Sequence, residues 1–293
     1  MDKKTPGLSE DFKGNITPKN FTKNPIKGTK FTIAISSAKG GVGKSTFAMN
    51  FALALKSTGS KVGILDADIY GPSLPKMMSI KNKPESKDGK SLVPIEQYGI
   101  QCMSIGFLVD EETPMIWRGP MVTSAIKTFT QKVLWNDLDF IVVDMPPGTG
   151  DAQLTIVQQV SLAGAVIVST PQDIALLDAR KGLQMFRKTD VPILGIIENM
   201  SYYECPSCNH RENIFDTGGG ERAAEKYEVP FLGSIPLDVK VRLGGDQGSP
   251  IVASENQNPV AQAFKEAARN IALQIAIVNS SAPTSVPELK IIE

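Results

Sequence analysis

Nine consecutive residues, Ala38-Lys39-Gly40-Gly41-Val42-Gly43-Lys44-Ser45-Thr46, constrain the fold of this chain more than any other stretch. They follow the apolar run FTIAIS (31–36) and precede FAMNFALALK, which has helical spacing. Three glycines in four positions let backbone N–H groups converge on an anion with no Cβ in the way. The helix N-terminus behind them adds a favourable dipole. Strand, glycine-rich turn and helix in that order make a phosphate-binding loop, in which Lys44 reaches the β- and γ-phosphates and the Ser45 hydroxyl ligates Mg2+. Two departures from the ordinary pattern stand out: alanine at position 38, where glycine is usual, and a second lysine at position 39.

A phosphate loop of this kind requires an open sheet around it, and the rest of the chain supplies one. Apolar runs recur at 31–36, 61–68, 99–107, 140–146, 164–170, 191–200 and 229–236, most of them continuous and rich in β-branched residues. Such runs suit strands buried on both faces of a parallel sheet. Helical spacing fills the gaps at 45–56, 120–134, 152–160 and 173–187, so the expected fold class is α/β, a doubly wound and mainly parallel sheet. Val260, Ala263, Phe264, Ala267, Ile271 and Ile275 form a further apolar stripe. It reads as a core-packing helix, because its opposite face is mixed in charge and not basic. The expected organisation is a loose leader over 1–29, one phosphate-loop domain over 30–278 with an irregular loop near 202–220, and a loose tail over 279–293.

Composition removes several function classes. Lys+Arg and Asp+Glu are both 31, so no net charge draws the chain to nucleic acid or anionic lipid. No apolar run spans a bilayer, and the polar leader has neither a secretory h-region nor the acid-poor character of a transit peptide, so the cytoplasm is the expected location. Three cysteines in 293 residues exclude a disulfide framework, and one histidine excludes a multi-histidine metal centre within a single chain.

Acidic residues end two of the apolar runs, where ligands meet an open α/β sheet. Asp66 and Asp68 close the second run; one reads as buried and structural and the other as facing the γ-phosphate, while an N-cap role for the next helix competes for either. FIVVD (140–144) ends in Asp144, which matches a Walker B acid holding Mg2+ through water, and Gly148 in the following turn offers its N–H to the γ-phosphate. Asn199 closes another run, with its amide available to a purine base or to a turn.

Tyr202-Tyr203-Glu204-Cys205-Pro206-Ser207-Cys208-Asn209-His210 carries the remaining chemistry. Cys205 and Cys208 are spaced to share one metal centre or a disulfide. A thioredoxin-like redox pair would have to open a helix early in a βαβ unit, and this pair follows a late strand. A zinc ribbon lacks its second CxxC; Cys205, Cys208 and His210 would supply three of four zinc ligands. A two-fold dimer would instead bring two CxxC pairs together as a site of four thiolates. Cys102, within an apolar run, reads as a small buried residue.

The loop Lys39–Ser45 resembles the deviant Walker A motif of the ParA, MinD and nitrogenase iron-protein class of P-loop NTPases. The wider set, comprising DADIYGPSLPKMM (66–78), IWRGPM (116–121, with Arg118), DMPPGTGDAQL (144–154), STPQDIALLDARKG (169–182), NMSYYECPSC (199–208) and GSIPLD (233–238), resembles the Mrp family of ATP-dependent iron–sulfur cluster carriers. The first resemblance implies that Lys39 reaches across a homodimer interface to the partner's nucleotide, that Asp68 orients the attacking water, that Asp66 supports the Mg2+ shell, and that Asn199 pairs with adenine. The second implies a labile [4Fe–4S] cluster on Cys205 and Cys208 of both subunits, passed to apo iron–sulfur proteins alongside cluster-assembly factors. ATP binding and slow hydrolysis would gate that transfer. The rival readings are a MinD- or ParA-like positioning ATPase, which leaves CxxC unexplained, and a zinc-stabilised regulatory ATPase.

Overall fold

Each of the seven apolar runs forms a strand, and two short strands join them. In order they are β1 (Thr29–Ser36), β2 (Val62–Asp66), β3 (Ile95–Gln97), β4 (Ile100–Ser104), β5 (Leu138–Asp144), β6 (Gly164–Ser169), β7 (Ile193–Glu204), β8 (Arg211–Glu212) and β9 (Phe231–Leu237). The computed structural model describes residues 23–86, 88–108 and 119–280. Among them one nine-stranded sheet runs β3-β4-β2-β5-β1-β6-β7-β8, with β9 also paired to β7. Only β3 and β8 pair antiparallel. The expected doubly wound, mainly parallel α/β fold is therefore present.

β1 lies between β5 and β6, parallel to both, so the chain leaves the sheet in opposite directions on either side of it. That switch point opens a crevice at the carboxyl end of β1, where an open α/β sheet binds its ligand. The helix Lys44–Lys56 follows directly and is apolar nearly all round, burying every residue from Phe47 to Leu55. A helix buried on all sides needs cover on both sides. The sheet supplies one, and the helix Pro259–Ser280 supplies the other through Val260, Phe264, Ala267 and Ile271. Phe47 meets Phe264 at 5.9 Å and Phe51 at 5.8 Å between ring centroids. Truncating either central ring to alanine removes packing worth about 3–5 kcal/mol. The C-terminal apolar stripe is thus core, and among the described residues no helix is long and apolar enough to cross a membrane.

Three expected boundaries move. The leader does not stay loose to residue 29: Asn24 hydrogen-bonds through its backbone to Gln159 and Ser161, and Ile26 is 1% exposed beside Leu65, Ile126 and Val160. Residues 1–22 lie outside the described residues, as do most of the tail (281–293) and Arg118. The C-terminal helix continues through Ser280, past the expected start of the tail. β7 does not stop near Met200 but runs on to Glu204, into the segment read as an irregular loop.

Candidate nucleotide site and cysteine hairpin

The phosphate loop occupies the turn between β1 and the helix Lys44–Lys56. Gly41 and Gly43 take φ of +82° and +79°, left-handed values that disfavour any residue with a Cβ. No heavy atom lies within 4 Å of where a Cβ would stand on Gly40 or Gly41, leaving open space for a phosphate chain. Gly43 begins the helix without a side-chain cap, and no acidic residue sits in the first turn. The first-turn N–H groups therefore have no intrahelical partner and face any anion placed there. Ser37 stiffens the turn through Oγ, which donates to the Lys39 carbonyl at 2.9 Å.

Strand register brings the acids to the same height. Ile35 of β1 pairs with Asp144 of β5, and Asp144 pairs with Asp66 of β2. Lys44 is 6% exposed, and its Nζ donates to Asp144 Oδ1 at 2.5 Å and to Ser45 Oγ at 3.2 Å. Asp66 is wholly buried and already engaged: it accepts from the Asp68, Ser73 and Leu74 N–H groups and from the Ser104 hydroxyl. The N-cap of the short helix Leu74–Met77 is Ser73, so neither Asp66 nor Asp68 is its N-cap residue; Asp66 reaches the helix start from β2 through the Ser73 and Leu74 N–H groups. Burial, then the adjacent Asp144 charge, push its carboxyl up to about 7. Asp68 is less confined; its Oδ1 accepts from Gly71 N–H, and burial raises its carboxyl above the ordinary range. Ser45, Asp144 and Asp66 form an all-oxygen donor set suited to a hard divalent cation. Asp66, its oxygens taken, fits as support and not as a direct ligand. Gly148 donates its N–H to the Ser37 carbonyl at 3.0 Å, linking the Walker B turn to the phosphate loop. Ala38 and Thr46 are half-buried at the loop's two ends, Val42 points into the core, and Lys39 is exposed.

Asn199 is not in a turn. It lies within β7, and its Nδ2 donates to the Val42 carbonyl at 2.8 Å. A Cβ on Gly43 would stand 2.3 Å from that same nitrogen, so glycine there is needed for space as well as for φ. The amide expected to read a base thus holds the phosphate loop, a contact spanning 157 residues of sequence. Neither it nor the roles of Ser37 and Ser104 left a local signal beyond their polarity.

The cysteines occupy the tip of a β-hairpin. Tyr203 pairs with Glu212 and Glu204 with Arg211, and Cys205 N–H donates to the His210 carbonyl at 2.9 Å. The base of the tip is clamped by Arg211, whose Nε donates to Glu204 Oε2 at 2.8 Å while its guanidinium lies 4.5 Å over the Tyr202 ring. Cys205 is half-buried and Cys208 exposed. The backbone N–H groups of Ser207 and Cys208, then the Cys208 thiol, hold the Cys205 thiol below its usual range. Hairpin geometry does not open a helix, which removes the thioredoxin-like reading. His210 turns to Glu212, 3.4 Å away, and among the described residues no three His, Cys, Asp or Glu side chains gather around a common metal position. The three-ligand zinc site is therefore not assembled. Cys102 is buried, and burial pushes its thiol up to about 12.

A family profile described as "ParA: NUBPL iron-transfer P-loop NTPase" matches residues 28–272. The iron–sulfur cluster transfer protein NUBPL of Dictyostelium discoideum is 50% identical over 88% of this chain and 81% of its own length. The iron–sulfur cluster carrier protein of Escherichia coli K12 is 50% identical over 89% of this chain and 72% of its own. Among solved structures, the nucleotide-binding protein from Archaeoglobus fulgidus in complex with ADP superposes with a TM-score of 0.71 at 38% identity, over 82% of this chain and 93% of that one. MinD from Pyrococcus horikoshii with Mg-ADP superposes at 0.63 and 24% identity, over 85% and 98%, a likeness of fold.

Proposed function

The chain belongs to the NUBPL iron-transfer family of ParA-type P-loop NTPases, and from that membership we propose an ATP-gated iron–sulfur cluster carrier that works as a homodimer. The observation that carries the reading is an unfinished metal site: two cysteines are presented together at a hairpin tip, with no third ligand gathered beside them among the described residues. A second copy related by two-fold symmetry supplies two more thiolates and completes a four-cysteine ligand set. The cargo is a labile [4Fe–4S] cluster bound by Cys205 and Cys208 of each subunit and released to apo iron–sulfur proteins.

The nucleotide chemistry belongs to the single domain that starts with β1. Backbone N–H groups of residues 40–46 hold the phosphate chain, and Lys44 neutralises the β/γ bridge. Ser45 directly and Asp144 through water, with Asp66 in support, would hold Mg2+, which would supply positive charge against the phosphates. Asp68 orients water for in-line attack on the γ-phosphorus. The water oxygen bonds to the γ-phosphorus as the P–O bond to ADP breaks, and the proton the water gives up goes to the phosphate that leaves. Lys39, exposed beside the loop, extends to the nucleotide of the facing subunit. Gly148 N–H exchanges the Ser37 carbonyl for a γ-phosphate oxygen, which gives the Walker B turn two positions.

Anaerobic reconstitution with iron and sulfide tests this reading. The expected product is a brown dimer with one four-iron cluster per two chains, lost in Cys205→Ser and Cys208→Ser and transferable to an apo acceptor. A colourless protein holding stoichiometric zinc, with Cys205→Ser still activating the acceptor, would overturn it.

A further inference from the structure

β7 touches both candidate sites. In its middle Asn199 holds the Val42 carbonyl of the phosphate loop, and its last residue, Glu204, precedes Cys205. Between these points the strand is irregular. Asn199 pairs with Ile235 and Tyr203 with Leu237, so four steps along β7 match two along β9. Met200, inside this bulge, takes φ of +56°, a left-handed value uncommon for a residue with a Cβ. Its Cε lies 3.4 Å from where a Cβ on Gly43 would stand, so its side chain also reaches the phosphate loop.

A buried clasp flanks this residue. Glu198 is 1% exposed; its Oε1 accepts from the Ser201 hydroxyl at 2.5 Å and its Oε2 from the Gly220 N–H at 2.6 Å. Ser201 precedes the cysteine hairpin and Gly220 follows it, at the start of the helix Gly219–Lys226. One carboxylate therefore closes the base of the whole excursion that carries Cys205 and Cys208. Side chains of successive strand residues point to opposite faces, so Glu198 grips the hairpin base while Asn199 grips the phosphate loop.

We infer that the Glu198–Ser201 clasp and the Met200 bulge are the positioning elements that convert movement of the phosphate loop into movement of the cysteine hairpin. The inference rests on the ATP-gated carrier reading and adds to it a named route. A nucleotide that shifts Val42 pulls Asn199, the left-handed bulge absorbs or passes on the shift, and the clasp sets the angle at which the hairpin leaves the sheet. The left-handed residue and the clasp lie between the two sites and join them through contiguous contacts.

The test uses the full chain without cluster, labelled with a maleimide and read by mass spectrometry at Cys205 and Cys208; Cys102, buried, serves as the internal blank. Labelling rates are compared with and without Mg-ATP at saturation, alongside nucleotide affinity. The natural chain is expected to show a nucleotide-dependent change of at least about fivefold, the lower end of ordinary coupling. Ser201→Ala and Glu198→Ala are each expected to bind nucleotide within about twofold of the natural chain while that ratio falls to near one. Either variant keeping the full ratio, or losing nucleotide affinity itself, overturns the inference and leaves the clasp as packing. Should Glu198→Ala not fold, Ser201→Ala decides alone, since it removes one hydroxyl and leaves the buried carboxylate bound to the Gly220 N–H. A natural chain that binds Mg-ATP with no change at either thiol overturns the gating reading as well, and so separates the two failures.

Discussion

Lys44 Nζ lies 2.5 Å from Asp144 Oδ1, and both side chains are buried beside the carboxylate of Asp66. The lysine we assign to the nucleotide phosphates is thus also the counter-cation of a carboxylate in the sheet. It cannot do both at full strength. In the proposed ATPase a divalent cation bound with the nucleotide would offset the Asp144 charge and leave Lys44 available to the phosphates.

Removing that ammonium exposes the conflict. Lys44→Ala leaves Asp144 buried without its partner, and breaking one side of a buried pair costs about 3–5 kcal/mol. For a domain of this size each kcal/mol shifts the melting temperature by about 2–4 °C, so a fall on the order of 10 °C is expected. Added Mg2+ should recover part of it by replacing the lost positive charge. Thermal melts with Mg2+ and with EDTA check this; a variant melting with the natural chain contradicts the buried pair.

Cys205 and Cys102 should separate by pH. Thiolate is the reactive form. Backbone N–H groups lower the Cys205 thiol, whereas burial raises Cys102 to about 12. Alkylation of Cys205 should therefore set in below the pH usual for a free thiol and level off early as pH rises. Cys102 should stay unmodified through pH 9, where its thiolate fraction is on the order of one in a thousand. Mass spectrometry of partly alkylated chain across pH 6–9 reads both, and labelling of Cys102 ahead of Cys205 would contradict the assignment.

Gly43→Ala meets two separate obstacles. The left-handed φ of +79° costs alanine about 1–2 kcal/mol, and the new methyl collides with the Asn199 amide. Only the second obstacle depends on Asn199. Pairing Gly43→Ala with Asn199→Ala should thus recover part of the lost stability, giving a favourable interaction of at least about 0.5 kcal/mol in a double-mutant cycle. Strictly additive losses in denaturant unfolding would show that the two side chains do not meet.

How much of this is legible in the sequence follows from how local each cause is. The strands that line the crevice announce themselves because burial on both faces demands continuous apolar runs, as in Phe140–Val143. β3 and β8, three and two residues long, are held by pairing and carry no such run. The phosphate loop is legible because its glycines, lysine and serine are contiguous. The role of Asn199 is not, since Val42 reaches it only after the sheet has closed. For Asp66 the sequence leaves a metal-supporting acid and an N-cap as rivals, and its hold on the Ser73 and Leu74 N–H groups from a distance of seven and eight residues becomes visible only when the next helix folds back. Ile26 reads as part of a polar leader because the surface that buries it comes from three distant segments.

Lys39 gives the sharpest test of the dimer. Its side chain is exposed while Lys44, five residues on, is buried on Asp144, so the two lysines of one loop do different work. A cation delivered from outside to a phosphoryl-transfer site is worth about 10³–10⁵ in rate when it stabilises transition-state charge. Lys39→Ala should therefore retain the fold and the melting temperature, because an exposed lysine contributes little to either. Nucleotide binding to one chain should survive, since Lys44 and the loop N–H groups are untouched. ATP turnover should fall by about a hundredfold or more, together with the ATP-dependent shift from monomer to dimer in sedimentation. Mixing Lys39→Ala with a Lys44→Ala chain should restore part of the turnover, because the mixed dimer keeps one site with its own Lys44 and a Lys39 from across the interface. Full activity in Lys39→Ala alone, or no recovery on mixing with a dimer verified to form, would place Lys39 outside the reaction.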